Sequence, residues 1–94
     1  MSALFIKLHP HDNVVVSTDL IMSGSEIELE GKIYRARTSI PRYFKVAAQN
    51  IEKGARIIKC GMSIGVAVES IAAAELVHTH NIKSDYVASF TGQE

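Results

Sequence analysis

The stretch Ile21-Met22-Ser23-Gly24-Ser25-Glu26-Ile27 decides how the chain is read, because its pattern returns twice. Ile21-x-x-Gly24-x-x-Ile27 recurs as Ile51-x-x-Gly54-x-x-Ile57, and again as Ile71-x-x-Ala74-x-x-Val77 with alanine in the glycine position. Each unit is an apolar anchor, a tight turn and a second apolar anchor. Spacings of thirty and then twenty residues are too unequal for a solenoid. They suit a small, heavily bent β structure whose short strands fold back through repeated turns, with glycine relieving the backbone at the bend. Ala74 in the third unit implies a turn that does without positive φ or tolerates some strain. The alanine-rich run Glu69–Val77 also permits a short helix.

Outward from these units the chain reads as strands. Leu4–Leu8 is apolar and stops at His9-Pro10, since proline cannot donate to a ladder. Asp12-Asn13 is a turn signal, followed by the β-branched run Val14-Val15-Val16. Glu26, Glu28 and Glu30 alternate with Ile27 and Leu29, which marks a half-buried strand closed by Gly31. Lys32–Thr38 alternates again and breaks at Ile40-Pro41. Arg42–Lys45 reads as a loop, Val46–Ala48 as a resumed apolar run, and Ile57–Gly61 and Met62–Val68 as two further strands. The fold class is therefore mainly β, a single domain over residues 1–94. Its tail, residues 84–94, carries Tyr86 and Phe90 and is expected to be flexible or to dock on a partner.

Ninety-four residues leave little room for a private active site beside a core, so a function shared with a partner or a second copy is a natural expectation. Ten basic residues balance ten acidic ones, with no basic run. Arg35, Arg37, Arg42, Tyr43 and Lys45 form a modest basic–aromatic patch of the kind that holds single-stranded RNA, but net neutrality argues against nucleic acid and acidic membranes as partners. The single cysteine, Cys60, excludes an internal disulfide and a Cys-x-x-Cys metal site, and reads as an inert thiol. Nothing resembles a signal peptide or a transmembrane span, so cytoplasm is the expected location.

The most reactive stretch is Val77-His78-Thr79-His80-Asn81-Ile82. If it is extended, His78 and His80 face the same way, roughly 6–7 Å apart. Such a pair can bind an anion, share a proton or hold a metal; it can equally be an ordinary polar patch. Imidazoles titrate near neutrality, where proton shuttling is effective. Lys45 can bind a carboxylate or steady an enediolate-like oxygen, and Asp12 and Asn13 can order an imidazole or meet a hydroxyl. Together these residues suit a small polyhydroxylated acid. No carboxylate cluster supplies a full metal sphere, so the set looks like part of an active site rather than the whole. No glycine-rich phosphate loop is present.

The motifs His9-Pro10-His11-Asp12-Asn13-Val14, Asp19-Leu20-x-x-x-Gly24, Ile40-Pro41 with Lys45-Val46-Ala47, Ile51-x-x-Gly54, Lys59-x-Gly61, Ile64-Gly65-x-Ala67 and Val77-His78-Thr79-His80-Asn81 occur in an order and spacing that resembles the SAF-type domain of the altronate/galactarate dehydratase family. The resemblance covers about residues 4–83. It implies a compact β-clip fold with a long bent hairpin. It also implies the role of a small subunit in a hydro-lyase that dehydrates a sugar acid to its 2-keto-3-deoxy product. A large catalytic subunit would carry most of the catalytic groups and a divalent ion of the iron or manganese type. By the same resemblance His78 and His80 are the catalytic candidates, and Asn81, Lys45, Asp12 and Asn13 the substrate-binding ones. Two alternatives stay open: a non-catalytic assembly or substrate-binding module, and the small subunit of a related sulfolactate-type sulfo-lyase. The chain departs from the pattern twice. Where the family usually has Gly-His before the lysine, this chain has Tyr43-Phe44; where it has Gly-Glu-His before Val-His-Thr-His, this chain has Ala74-Glu75-Leu76.

Overall fold

A computed structural model describes residues 5–84. Every regular element among them is a strand: β1 (Phe5–Ile6), β2 (Val14–Ser17), β3 (Glu26–Leu29), β4 (Lys32–Arg35), β5 (Lys45–Ala47), β6 (Arg56–Lys59), β7 (Met62–Ala67), β8 (Leu76–Val77) and β9 (Ile82–Ser84). No helix among the described residues is long and apolar enough to cross a membrane. All pairings are antiparallel, in three small sheets ordered β1-β2-β5-β8, β3-β4 and β6-β7-β9. The expected tail feature, Tyr86 with Phe90, lies outside the described residues.

The four-stranded sheet is the spine, and side-chain alternation gives its two faces different work. Val15, Val46, Leu76 and Phe44 face the β3–β4 hairpin and close one core with Ile21, Ile27, Leu29 and Ile40. Val14, Ala47 and Val77 face the β6–β7 hairpin and close a second core with Ile51, Ile57, Ala67 and Ile71. Ile27, Ile40, Ile57 and Ile71 are all essentially inaccessible to solvent. Each such side chain contributes about 1.5–3 kcal/mol of burial, so the anchors of the repeated unit are also the largest pieces of the cores.

Among the described residues the unit occurs four times. Besides the three legible from glycine and alanine, Ile40-Pro41-Arg42-Tyr43-Phe44-Lys45-Val46 folds the same way. In every copy the fifth residue donates its N–H to the carbonyl of the second: Ser25 to Met22, Phe44 to Pro41, Ala55 to Glu52 and Glu75 to Ala72. In every copy the fourth residue has positive φ: Gly24 (89°), Tyr43 (71°), Gly54 (90°) and Ala74 (72°). These are turns with a left-handed third position, which favours glycine because an L side chain is crowded there. Ala74 therefore does adopt positive φ, the strained option of the two the sequence allowed.

The units pair two by two. Ile21 and Ile40 exchange both backbone hydrogen bonds across one hairpin, and Ile51 and Ile71 do so across the other. Each hairpin tip is a two-residue loop with both φ angles positive, Glu30-Gly31 in β3–β4 and Cys60-Gly61 in β6–β7, the geometry that matches strand twist. The β6–β7 hairpin is the longer, and its register shifts at a bulge between Ile57 and Ile58, a feature that locally bends and twists a strand. The helix permitted over Glu69–Val77 is absent. The Ala72–Glu75 turn occupies that stretch, and Ile71 and Val77 on either side of it are both buried in the second core.

Candidate functional site

His78-Thr79-His80-Asn81 is a four-residue turn, not an extended segment: the Asn81 N–H donates to the His78 carbonyl at 3.0 Å. The turn is held from within by Asn81, whose side chain is fully buried. Its Oδ1 accepts the His78 N–H at 2.9 Å, and its Nδ2 donates to the Leu76 carbonyl at 2.8 Å. A carboxamide is suited to this because it offers an acceptor and a donor side by side, as a peptide group does. Turn geometry also separates the two imidazoles. The His78 ring lies against Phe44, with ring centroids 5.0 Å apart. This follows from the register, since Lys45 opposite Val77 sets Phe44 opposite His78. His80 instead borders a cavity of about 330 Å³, with Arg37, Thr38, Ser39, Ile40, Ala74, Glu75 and Leu76 as the rest of its wall.

Lys45 does not join the histidines. It shares a row with Val16 and Val77 and leaves the spine on the face opposite to Phe44, toward the second core. Its ammonium is half-buried; burial lowers its pKa first, and the neighbouring Lys59 charge lowers it further. Among the described residues no carboxylate forms an ion pair with it.

Asp12 and Asn13 are taken up by the fold. Asp12, 4% exposed, accepts the Cys60 N–H at 2.9 Å and the Gly61 N–H at 2.8 Å, one on each oxygen. Burial acts to raise its pKa. The two N–H groups, together with the positive charge of His9, outweigh burial and hold the carboxyl below its usual range. Asn13 donates to the Arg56 carbonyl at 2.9 Å and accepts the Ile58 N–H at 2.8 Å. It thus clasps β6 around Ile57 as Asn81 clasps β8 around Val77. Asp12, Asn13 and Asn81 therefore all spend their side chains on backbone groups.

The first histidine pair forms a turn of the same kind, with the Asp12 N–H donating to the His9 carbonyl at 3.0 Å. The His9 and His11 rings are 5.2 Å apart, and the His11 N–H donates to His9 Nδ1. His9 also covers the β6–β7 tip so closely that a Cβ on Gly61 would meet its Cδ2 at 2.9 Å. Cys60 at that tip is exposed and free. Among the described residues no three His, Cys, Asp or Glu side chains converge as a metal site would need. These residues therefore do not by themselves fit a divalent ion.

Sequence reasoning missed Glu75 and gave Arg37 to a different patch. Arg35 is tied to the Gly24 carbonyl and faces Glu26, and Arg42 stacks over Tyr43 at 4.7 Å, so the basic–aromatic run does not present one surface. The positions where the family usually has imidazoles, Phe44 and Leu76, are half-buried against the first core.

The family model for the altronate/galactarate dehydratase SAF domain matches residues 3–85. The chain is 37% identical over 81 residues to altronate dehydratase of Escherichia coli (strain K12). It is 35% identical over 81 residues to altronate dehydratase of Bacillus subtilis (strain 168). Each alignment takes in 86% of this chain and 16% of the relative, so the chain spans about a sixth of the length of these curated proteins. With every described residue inside that match, the chain belongs to the altronate/galactarate dehydratase SAF domain family.

Proposed function

We propose that the chain serves as the small subunit or domain of a hydro-lyase that dehydrates a sugar acid of the altronate or galactarate type, working with a large catalytic partner. The observation that carries this reading is the match over 86% of the chain to two altronate dehydratases in which the matched part is only 16% of the protein. In the reaction a base removes the proton α to the carboxylate, and the electron pair forms the C=C bond of an enol. An acid protonates the departing β-hydroxyl, which leaves as water. The enol then tautomerises to the 2-keto-3-deoxy acid.

In this reading His80, at the mouth of the cavity, and His78, beside it on the same turn, exchange protons with the substrate at the edge of the partner's site. Both imidazoles are solvent-exposed and on a turn, where an incoming surface can reach them. Asn81 sets the turn; Asp12 and Asn13 set the β6–β7 hairpin against the spine. Lys45 and Lys59 give the other face of the spine an anion-attracting character. The assembly-module reading draws on Phe44 and Leu76, whose apolar side chains fill positions the family usually gives to histidine.

The test is to measure dehydration of a panel of aldonates and aldarates by the chain with and without its large partner, following formation of the 2-keto-3-deoxy acid. Activity should require both. A double variant His78→Ala, His80→Ala that leaves the complex fully active would remove the proton-transfer role and favour the assembly reading.

A further inference from the structure

We propose that the cavity between the Arg37–Ile40 loop and the Ala72–Leu76 turn is a subsite for a polyhydroxylated carboxylate, with Arg37 as the residue that selects the acid group. This rests on the hydro-lyase reading and assigns the substrate contact within it.

Among the arginines, Arg37 is set apart by its surroundings. Arg35, Arg42 and Arg56 each have a partner: the Gly24 carbonyl, the Tyr43 ring and the Ser63 hydroxyl, respectively. The Arg37 guanidinium has none among the described residues, although its own carbonyl accepts the Ser23 hydroxyl and so fixes its backbone. It borders the 330 Å³ cavity and two adjoining recesses of about 180 and 460 Å³, and Glu75 borders all three with it. The two opposite charges share these walls without forming an ion pair. Glu75 is held in place by the Ala72 N–H, which donates to its Oε1 at 2.8 Å. The cavity therefore has a fixed acceptor on one wall and a cation on the other.

The lining selects a ligand class. A guanidinium takes a carboxylate through two parallel N–H bonds. A carboxylate such as Glu75 accepts from hydroxyl groups, and the Thr38 and Ser39 hydroxyls can donate or accept. Ile40, Ala74 and Leu76 give an apolar floor for a C–H face, and His80 stands at the rim. The volume falls in the range of small-molecule sites. A nucleic acid would meet a single cation beside a carboxylate, which is the wrong balance for a phosphate chain.

The experiment compares Arg37→Gln and Arg37→Lys with wild type in the assembled complex. Arg37 is exposed, so its melting temperature serves as a folding control and should not move. The expected result is a KM for the sugar acid raised about tenfold or more in Arg37→Gln, with kcat within about threefold and partial recovery in Arg37→Lys. A substrate amide should lose affinity for wild type but not distinguish wild type from Arg37→Gln. An active complex whose KM is unchanged by Arg37→Gln overturns the assignment. If the wild-type complex dehydrates no acid in the panel, the hydro-lyase reading fails. The subsite is then decided by titrating the full chain with altronate and galactarate and following amide and Arg Nε–H resonances. Saturable shifts at Arg37–Ile40 and Ala74–Leu76 uphold it, and their absence refutes it.

Discussion

Replacing Asn81 with alanine should loosen the histidine turn without removing a histidine. The side chain is fully buried and makes two hydrogen bonds to backbone, at 2.9 Å to His78 and 2.8 Å to Leu76. An orphaned backbone partner costs about 1–3 kcal/mol when buried, and the exposed His78 can be partly rescued by water, so each loss belongs near the lower bound. Two bonds and a small void together make about 2–3 kcal/mol. For a chain of 94 residues, each kcal/mol moves the midpoint by about 4–8 °C, so Tm should fall by roughly 10–20 °C. Thermal and urea unfolding followed by circular dichroism would read it. Asn81→Asp should be at least as severe near neutral pH, because one carboxylate oxygen then faces the Leu76 carbonyl in place of a donor. A Tm drop below about 4 °C in Asn81→Ala would refute the claim that this carboxamide holds the turn.

Gly61→Ala should destabilise by about 2 kcal/mol and Gly54→Ala by about 1, because both have positive φ but only Gly61 would also push a Cβ into the His9 ring at 2.9 Å; urea midpoints compare them. Asp12 has a folded pKa below its ordinary value. Its stabilising contribution is therefore complete above the unfolded carboxyl pKa of about 3.9 and is lost as pH falls through the lower folded value. Melting curves from pH 2 to 6 should accordingly show the gap between wild type and Asp12→Asn closing on the acid side. Phe44→His, which restores the imidazole the family usually has beside His78, should lower Tm by about 4–8 °C through lost packing on the first core; equal stability would show that the ring contributes nothing there.

The strands were readable because their signal is local. Ile27 and Leu29 alternate with glutamates, and glycine marks the bends at positions 24 and 54. The fourth unit was hidden because Tyr43 occupies the left-handed position without the glycine that would announce it. The histidine turn was hidden for another reason. Whether Val77–Ile82 runs straight or turns depends on a buried carboxamide and on β9 pairing with β7, neither of which leaves a periodic trace. Asp12 and Asn13 announced themselves as polar turn residues, but their partners lie 43–49 residues further along the chain. The cavity joins residues 37–40 to residues 74–80, a juxtaposition set by the pairing of the four units and not by any motif.

Val46 and Ala47 are neighbours in β5, both wholly enclosed, and belong to different cores. One peptide bond thus ties together the two halves of the molecule. Neither hairpin can melt without stripping one face of the same strand, so the halves have no separate transition. Their pairing is also remote in sequence, and the chain must close long loops before either core rewards it. The domain should therefore assemble all at once, and the loss of β5 should be felt in both halves.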